Sequence, residues 1–141
     1  CCNDIIWRPS MSTLKVTNIQ ATGETVDRAV SGVAGMWINF GQETTQSIND
    51  SINVASITDE GTGKTTVKYT NDFDNNDYAT ASHCQDGGGE NDIRTVHTSN
   101  ETGRYAAGSH RVITGQPDST PSAMVLNDAY ALSLVSHGDL A

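Results

Sequence analysis

The stretch that decides the fold is INVASITDEGTGKTTVKYT, which occupies residues 52–70. Apolar and polar side chains alternate on both sides of a polar loop, residues 58–63, that contains two glycines. Alternation with a period of two is typical of a strand with one buried face, and glycine readily adopts the positive φ angles of a chain reversal. The stretch therefore predicts an antiparallel hairpin, with Ile52 and Val54 in its first strand and Val67 in its second.

Alternation outside this hairpin predicts further strands. Residues 35–41 place Trp37 on one face of a strand and three apolar side chains on the other. Residues 130–136 predict a last strand in which Tyr130 lies on the same side as the two leucines. Shorter strands are predicted near residues 14–18, 78–85, 93–99, 104–105, 110–114 and 124–126, and residues 115–122 are predicted to form a loop.

The composition agrees with a small protein of this kind. The chain has 17 Thr, 13 Ser, 11 Asn and 13 Gly, whereas hydrophobic residues make up 35% and aromatic residues 6%. Thr favours strands, while Gly and Asn favour turns. We therefore predict an all-β fold, an antiparallel β-sandwich or jelly-roll-like domain with long loops. This single domain comprises residues 11–141, and residues 1–10 form an N-terminal arm.

The structure of residues 26–33 is ambiguous. Val26 and Val30 lie on a stripe with helical spacing, but the segment is too short for periodicity to establish a helix. Because so thin a core favours help from oligomerisation, a helix here would suit a contact between subunits. Trp7, in the N-terminal arm, is the other candidate for such a contact.

The charge balance excludes two classes of partner. The formal net charge is −9, from 17 acidic and 8 basic residues, and the basic residues are scattered along the chain. Binding to phosphate groups needs clustered cations, which argues against nucleic acid and against anionic membrane surfaces. No apolar run approaches the roughly 20 residues that cross a bilayer, so we expect no membrane insertion.

One segment has the order of acids that begins a calcium loop. Residues 71–78 contain Asp72, Asp74 and Asp77, but Asp77 stands where an EF-hand loop needs glycine, and no acid follows at the twelfth position. The preferred interpretation is an Asn- and Asp-rich turn whose Phe73 points inward together with the tyrosine that ends the segment. A calcium site of another type stays open as an alternative.

The remaining chemistry-bearing residues do not indicate catalysis. His83 and Cys84 are the one neighbouring pair that could act as base and nucleophile or bind a metal, but adjacent residues of a strand point to opposite faces. The run Gly87, Gly88 and Gly89 lacks the P-loop motif and is flanked by acids, which favours an exposed hairpin tip over a phosphate cradle. We therefore predict no enzyme activity, no cofactor and no metal.

From residue 11 onward, the sequence resembles a group of small structural proteins encoded by marine tailed phages. The resemblance lies in a Met-x-Thr-Leu-Lys-Val-like start, a Trp-Val-Asn-Phe-like strand and an Asn-Val-Ser-Ser-Ile-Thr-Asp-x-Gly-Thr-Gly-like segment, followed by Thr-Val-x-Tyr-Thr and Phe-x-x-x-x-Tyr. The corresponding residues here are 11–20, 37–40, 50–63, 66–70 and 73–78. Residues 41–44 depart from the usual Asn-Gly-Thr-Gly tip, and the match is loose after residue 78.

Members of this group are generally described as tail-fibre or other virion proteins. The resemblance therefore implies a non-enzymatic virion structural protein on the particle exterior, of the tail-fibre or adhesin type that attaches to a host. It also implies a homotrimer and other tail or capsid subunits as partners. Polar loops on a β scaffold are suited to binding, so Gly87, Gly88, Gly89 and Asn91 are candidates for contact with a host glycan or protein.

Two other functions fit the same residues. A head decoration protein would use the N-terminal arm to clamp neighbouring capsid subunits, and its copy number per particle would be far higher than that of a tail component. A non-viral carbohydrate-binding module is the second alternative. Against it, neither Trp lies in a predicted loop, where a stacking platform for sugars would be expected.

Overall fold

The structure, a computed structural model, describes residues 33–85, 94–99, 105–117 and 124–141, together with the backbone of residues 18–19 and 28–29. The chain divides into two compact units, Cys1–Val30 and Ser31–Ala141. The described residues form strands and no helix. Accordingly, no helix able to span a membrane occurs in this part of the chain. The predicted boundary between arm and domain, at residues 10 and 11, lies outside the described residues.

The strands are numbered in chain order as β1 (Asn18–Ile19), β2 (Arg28–Ala29), β3 (Ala34–Gly41), β4 (Ser47–Ile52), β5 (Val54–Asp59), β6 (Lys64–Tyr69), β7 (Ala79–Gln85), β8 (Thr95–Thr98), β9 (Tyr105–Ala106), β10 (Ser109–Pro117), β11 (Met124–Leu126) and β12 (Ala131–His137).

In the first unit, β1 pairs with β2 in antiparallel orientation, and Asn18 lies opposite Ala29. The helical alternative for residues 26–33 is therefore wrong at Arg28 and Ala29. Pairing with β1 supplies partners for the backbone groups of this segment, which a stripe of valines on so short a stretch does not reveal. Of the strand predicted at residues 14–18, only Asn18 lies within the described residues.

The second unit contains two antiparallel sheets. The four-stranded sheet has the order β4-β3-β12-β7. In the other sheet the order is β11-β10-β6-β5, and β8 and β9 also pair with β10. Every pairing is antiparallel. The predicted all-β class is thus confirmed.

The inner faces of both sheets contribute to one hydrophobic core, as in a β-sandwich. In the four-stranded sheet, Ile38 and Phe40 lie opposite Leu134 and Leu132, and all four side chains are buried. The other sheet contributes residues that include Val67, Tyr69 and Val112. The alternation predicted for residues 35–41 is confirmed, since Met36, Ile38 and Phe40 are buried and Trp37 points the other way.

The hairpin that decides the fold is present as β5 and β6, but its first strand is shorter than predicted. Ile52 ends β4 and pairs with Trp37 in the four-stranded sheet, whereas Val54 begins β5 and pairs with Tyr69 in the other sheet. Asn53 separates them with a φ of 59°. Asn is among the few residues that tolerate this left-handed conformation, which allows the chain to pass from one sheet to the other. The alternation of apolar and polar residues continues through this point.

Two other predictions are wrong at their edges. Tyr130 was expected beside the leucines of the last strand, but it precedes β12 and is 55% exposed. Since it lies before the ladder begins, strand alternation does not govern its orientation. Gly115 was expected in a loop, but β10 continues through Pro117 because β11 supplies the backbone partners. Residues 118–122 of that predicted loop lie outside the described residues.

Candidate functional site

The contact residues predicted from the sequence lie outside the described part of the chain. They are Trp7, Val26, Val30, Gly87, Gly88, Gly89 and Asn91. The predicted hairpin tip that contains the three glycines is also outside it. Among the described residues, the strongest candidate for a binding site is the outer face of the four-stranded sheet, meaning the face that points away from the core.

An apolar row crosses this outer face. The register places Trp37 of β3 between Ile52 of β4 and Val135 of β12, and Val135 lies opposite Ala81 of β7. We call these four residues the Trp37 row. Ile52 is 54% exposed and Ala81 is also exposed, while Trp37 and Val135 are partly exposed. The row therefore presents an aromatic ring and aliphatic groups on a flat strand surface.

A polar row lies beside it, two residues further along each strand. Asn39 of β3 lies between Asp50 of β4 and Ser133 of β12, and Ser133 lies opposite His83 of β7. We call these four residues the Asn39 row. It combines a carboxylate, an amide, a hydroxyl and an imidazole, and its two end residues, Asp50 and His83, are exposed.

Hydrogen bonds order the middle of the Asn39 row. The Asn39 Nδ2 group donates to Ser133 Oγ over 2.8 Å, and the Asn49 Nδ2 group donates to Asn39 Oδ1 over 2.8 Å. An amide nitrogen has two N–H groups, and Ser133 accepts through its oxygen in this bond. The second N–H of Asn39 and the hydroxyl proton of Ser133 therefore stay available as fixed donors to a ligand.

Two shallow depressions follow each other along the outer face. The first has a volume of about 410 Å³ and is lined by three residues of each row, namely Trp37, Val135 and Ala81 and also Asn39, Ser133 and His83. The second has a volume of about 300 Å³ and is lined by Gly41 and Ala131, together with Glu43, Asn49 and Tyr130. Gly41 and Ala131 are the next outward residues after Asn39 and Ser133, so the two depressions form one track along β3 and β12.

The described residues also contain a buried cluster of titratable rings. The Tyr78 hydroxyl donates to the Ala106 carbonyl over 3.0 Å, and the Tyr69 hydroxyl donates to Tyr78 Oη over 3.0 Å. Tyr69 also contacts Nδ1 of His110. Tyr69 and His110 thus share one hydrogen bond, in which the tautomer of the histidine decides the donor.

Burial shifts the pKa of each ring in this cluster. Desolvation lowers the pKa of His110 to about 4 and raises the pKa of Tyr69 to about 12. Desolvation by burial raises the pKa of Tyr78 far above its ordinary value. All three rings are therefore neutral at pH 7. His110 is fully buried, so a substrate in solvent has no contact with it.

The structure tests two further predicted sites. Among the described residues, no group of three or more His, Cys, Asp or Glu able to hold a metal ion occurs, so Asp72, Asp74 and Asp77 are not brought together as such a group. His83 is exposed and Cys84 packs against the core, which confirms that the two point to opposite faces. The inward-pointing Phe73 predicted for the turn at residues 71–78 is confirmed, since this side chain is buried.

The candidate face could have been found in part from the sequence. Trp37 alternates with three apolar residues on its strand, so its outward orientation follows from the sequence. The partners Ser133 and His83 could not be found in this way, because only strand register brings them next to Asn39.

No protein-family model matches the chain, and neither a curated protein nor a solved structure is significantly similar to it.

Proposed function

We propose that this chain is a non-enzymatic structural protein on the exterior of a phage particle, where it acts as a tail-fibre-type component that attaches the particle to its host. The observation that carries the proposal is the outer face of the four-stranded sheet, where the Trp37 row lies beside the ordered Asn39 row. Aromatic and polar groups held on rigid strands are suited to recognition, because little conformational freedom is lost on binding.

The residues that carry the resemblance to phage structural proteins support the proposal. Residues 37–40 lie in β3 and contribute both the buried Ile38 and Phe40 and the outward Trp37. Residues 50–63 contain the end of β4, the change of sheet at Asn53 and the start of the hairpin. The shared motif therefore corresponds to residues that build the sandwich and its outer face.

The buried titratable cluster is in keeping with a non-enzymatic role. His110 and Tyr69 are enclosed by the core rather than exposed in a cleft. General acid or base catalysis needs a group within hydrogen-bonding reach of a substrate. A structural function for these rings accounts for their burial without a reaction.

Localisation on intact particles tests the proposal. An antibody raised against the full chain is used for immunogold labelling of the phage that encodes it, and quantitative mass spectrometry gives the copy number per particle. We expect label at the tail and a copy number that is a small multiple of the number of tails. The purified chain is expected to be trimeric by light scattering and to compete with phage particles for adsorption to host cells.

Three outcomes contradict specific parts of the proposal. Label over the head, with a copy number close to that of the major capsid protein, would replace the attachment role with a decoration role. Particles without label would remove the virion assignment altogether. A purified chain that does not reduce adsorption would contradict attachment. Circular dichroism of the same sample has to show that the chain is folded.

A further inference from the structure

We infer that the outer face of the four-stranded sheet binds an uncharged oligosaccharide, which lies along β3 and β12 from Trp37 at one end to Tyr130 at the other. This inference rests on the proposed attachment function, since it names the class of host ligand. It is carried by four observations on the same face: two separated aromatic side chains, an ordered row of donors between them, a continuous track and the absence of cations among the track-lining residues that the structure describes.

Two aromatic side chains of the track are open to a ligand. Trp37 is partly exposed in the first depression, and Tyr130 is 55% exposed in the second. The face of an aromatic ring carries negative charge density and attracts the C–H groups of an apolar ligand face. A sugar ring has such a C–H face, whereas its hydroxyls point outward around the rim. Each aromatic residue can therefore cover one face of one sugar ring.

The Asn39 row supplies the polar partners that hydroxyls need. The second N–H of Asn39 and the hydroxyl of Ser133 are held in place by the bonds to Ser133 and Asn49, and the exposed imidazole of His83 lies next in the row. Amide, hydroxyl and imidazole groups can each donate to or accept from a sugar hydroxyl. Preordered donors add specificity because little side-chain freedom is lost when the ligand binds.

The length of the track calls for more than one sugar ring. Val135 lies opposite Trp37 on β12, and Tyr130 precedes Val135 by five residues on the same segment. At about 3.3 Å per residue, the two aromatic positions are about 16 Å apart along the strand. A single sugar ring is shorter than this distance, so one ligand reaches both side chains only as an oligosaccharide.

The charges along the track favour an uncharged ligand. The acid that lines the track is Glu43, in the second depression, and Asp50 lies beside it at the end of the Asn39 row. No Lys or Arg lines either depression among the described residues. Sialic or uronic acids would therefore meet repulsion without a compensating cation, and the net charge of −9 adds to this repulsion. The same argument disfavours a second copy of this acidic chain as the occupant.

Calorimetry on the full chain tests the inference. The probes are tetrasaccharides of glucose, mannose, galactose and N-acetylglucosamine, with tetragalacturonate and sialyllactose as acidic probes and the matching neutral disaccharides for length. We expect at least one neutral tetrasaccharide to bind and the acidic probes not to bind. Trp37→Ala should weaken tetrasaccharide binding about tenfold. Tyr130→Ala should weaken tetrasaccharide binding severalfold but leave disaccharide binding unchanged.

Val125→Ala is the matched control, because Val125 is 44% exposed but lies on β11 of the other sheet. It should leave the affinity unchanged. If Trp37→Ala unfolds the chain, Tyr130→Ala still tests the track, because Tyr130 is exposed and lies outside the strands. Binding only of acidic probes, binding of no probe, or a tetrasaccharide affinity that survives both aromatic substitutions would overturn the inference. The attachment function would still stand if the particles carried label and the purified chain blocked their adsorption, but the chain bound no glycan. Glycan binding by a chain that is missing from particles would remove the virion assignment alone.

Discussion

The two ends of the sandwich core are filled by different kinds of side chain. At the end where β3 begins, Phe73 lies among other aromatic rings, and we call this region the aromatic end. At the end where β3 stops, Gln42 lies among amides and hydroxyls, and we call this region the polar end. Both central side chains are almost fully buried, with 2% of each exposed.

At the aromatic end, rings fill the space between the sheets. Phe73 stacks on Tyr78 with their centroids 4.3 Å apart, and it meets Tyr69 edge to face at 5.2 Å. Glycines allow this close approach. A Cβ on Gly35 would lie 2.7 Å from the Phe73 ring, and a Cβ on Gly138 would lie 3.1 Å from it. This end is therefore specified by volume and shape.

At the polar end, one amide joins the two sheets. The Gln42 Nε2 group donates to Thr65 Oγ1 of β6 over 3.0 Å. Its Oε1 atom accepts from the Thr114 hydroxyl of β10 over 2.7 Å and from the Ala129 backbone N–H over 2.9 Å. Thr65 in turn donates to Gln46 Oε1 over 2.7 Å. This end is specified by the directions of hydrogen bonds, since a buried donor left without a partner is destabilising.

Removing the central ring of the aromatic end should have the largest effect on stability. We expect Phe73→Ala to lower the free energy of unfolding by about 4 kcal/mol, because it removes a buried ring and leaves a cavity. Phe73→Leu, which keeps most of the apolar volume, should lower it by about 1 kcal/mol. Urea unfolding followed by circular dichroism measures both. Equal losses in the two variants would show that volume does not decide this end.

The difference between the ends also explains what the sequence could and could not predict. Phe73 and Tyr78 are aromatic residues in a polar turn, so their inward orientation was predicted from the sequence and is confirmed. Gln42 is a polar residue beside a turn and gives no sign of burial, because its partners Thr65 and Thr114 lie far away in the sequence. The strands could be predicted from alternation with a period of two. Residues whose role depends on the register between strands could not.

The candidate face shows the same limit. Trp37 was recognised as outward-facing from its own strand, but the Asn39 row exists only because four strands are aligned in register. The change of sheet at Asn53 was missed because alternation continues through it, and only its positive φ distinguishes it. Sequence patterns thus predict single strands, while sites that depend on neighbouring strands need the three-dimensional structure.

Acid should weaken the aromatic end through His110. In the folded chain its pKa is lowered to about 4, whereas an unfolded His titrates near 6.5. Between these values the unfolded chain binds more protons, so stability falls as the pH falls from about 6.5 to about 4. The total loss from this group should be about 3 kcal/mol. In the protonated ring both nitrogens carry an N–H group, and Nε2 has no hydrogen-bond partner among the described residues.

The measurement compares urea unfolding at pH 7 and pH 5 in three proteins. The wild-type chain should lose stability between these values, and His110→Gln, which has no titrating ring, should lose clearly less. His83→Gln is the control, because His83 is exposed on the outer face. Its loss of stability between pH 7 and pH 5 should equal that of the wild type. If all three proteins had the same pH dependence, the carboxylates would account for it and His110 would have no part.

At the polar end, a substitution that keeps the volume should still be destabilising. Gln42→Met retains the length of the side chain but leaves the Ala129 N–H without its side-chain acceptor and Thr65 Oγ1 without its donor, while the Thr114 hydroxyl keeps the Asn127 carbonyl. We expect a loss of about 2 kcal/mol in the free energy of unfolding. Gln85→Met is the control, since Gln85 is exposed at the end of β7. A Gln42→Met variant as stable as this control would contradict the assignment of this end to hydrogen bonding.

The smallest effect is expected at Asn53, which forms directional hydrogen bonds at the aromatic end. Its Nδ2 group donates to the Gly35 and Asn71 carbonyls, each over 3.0 Å, while its backbone has a φ of 59°. Asn53→Gly removes the side-chain bonds but tolerates this φ, whereas Asn53→Ala removes the bonds and adds backbone strain. We therefore expect Asn53→Ala to be less stable than Asn53→Gly by about 1 kcal/mol. Equal stabilities in thermal unfolding would mean that the chain can change sheets without a left-handed residue, and that the side-chain bonds alone hold Asn53.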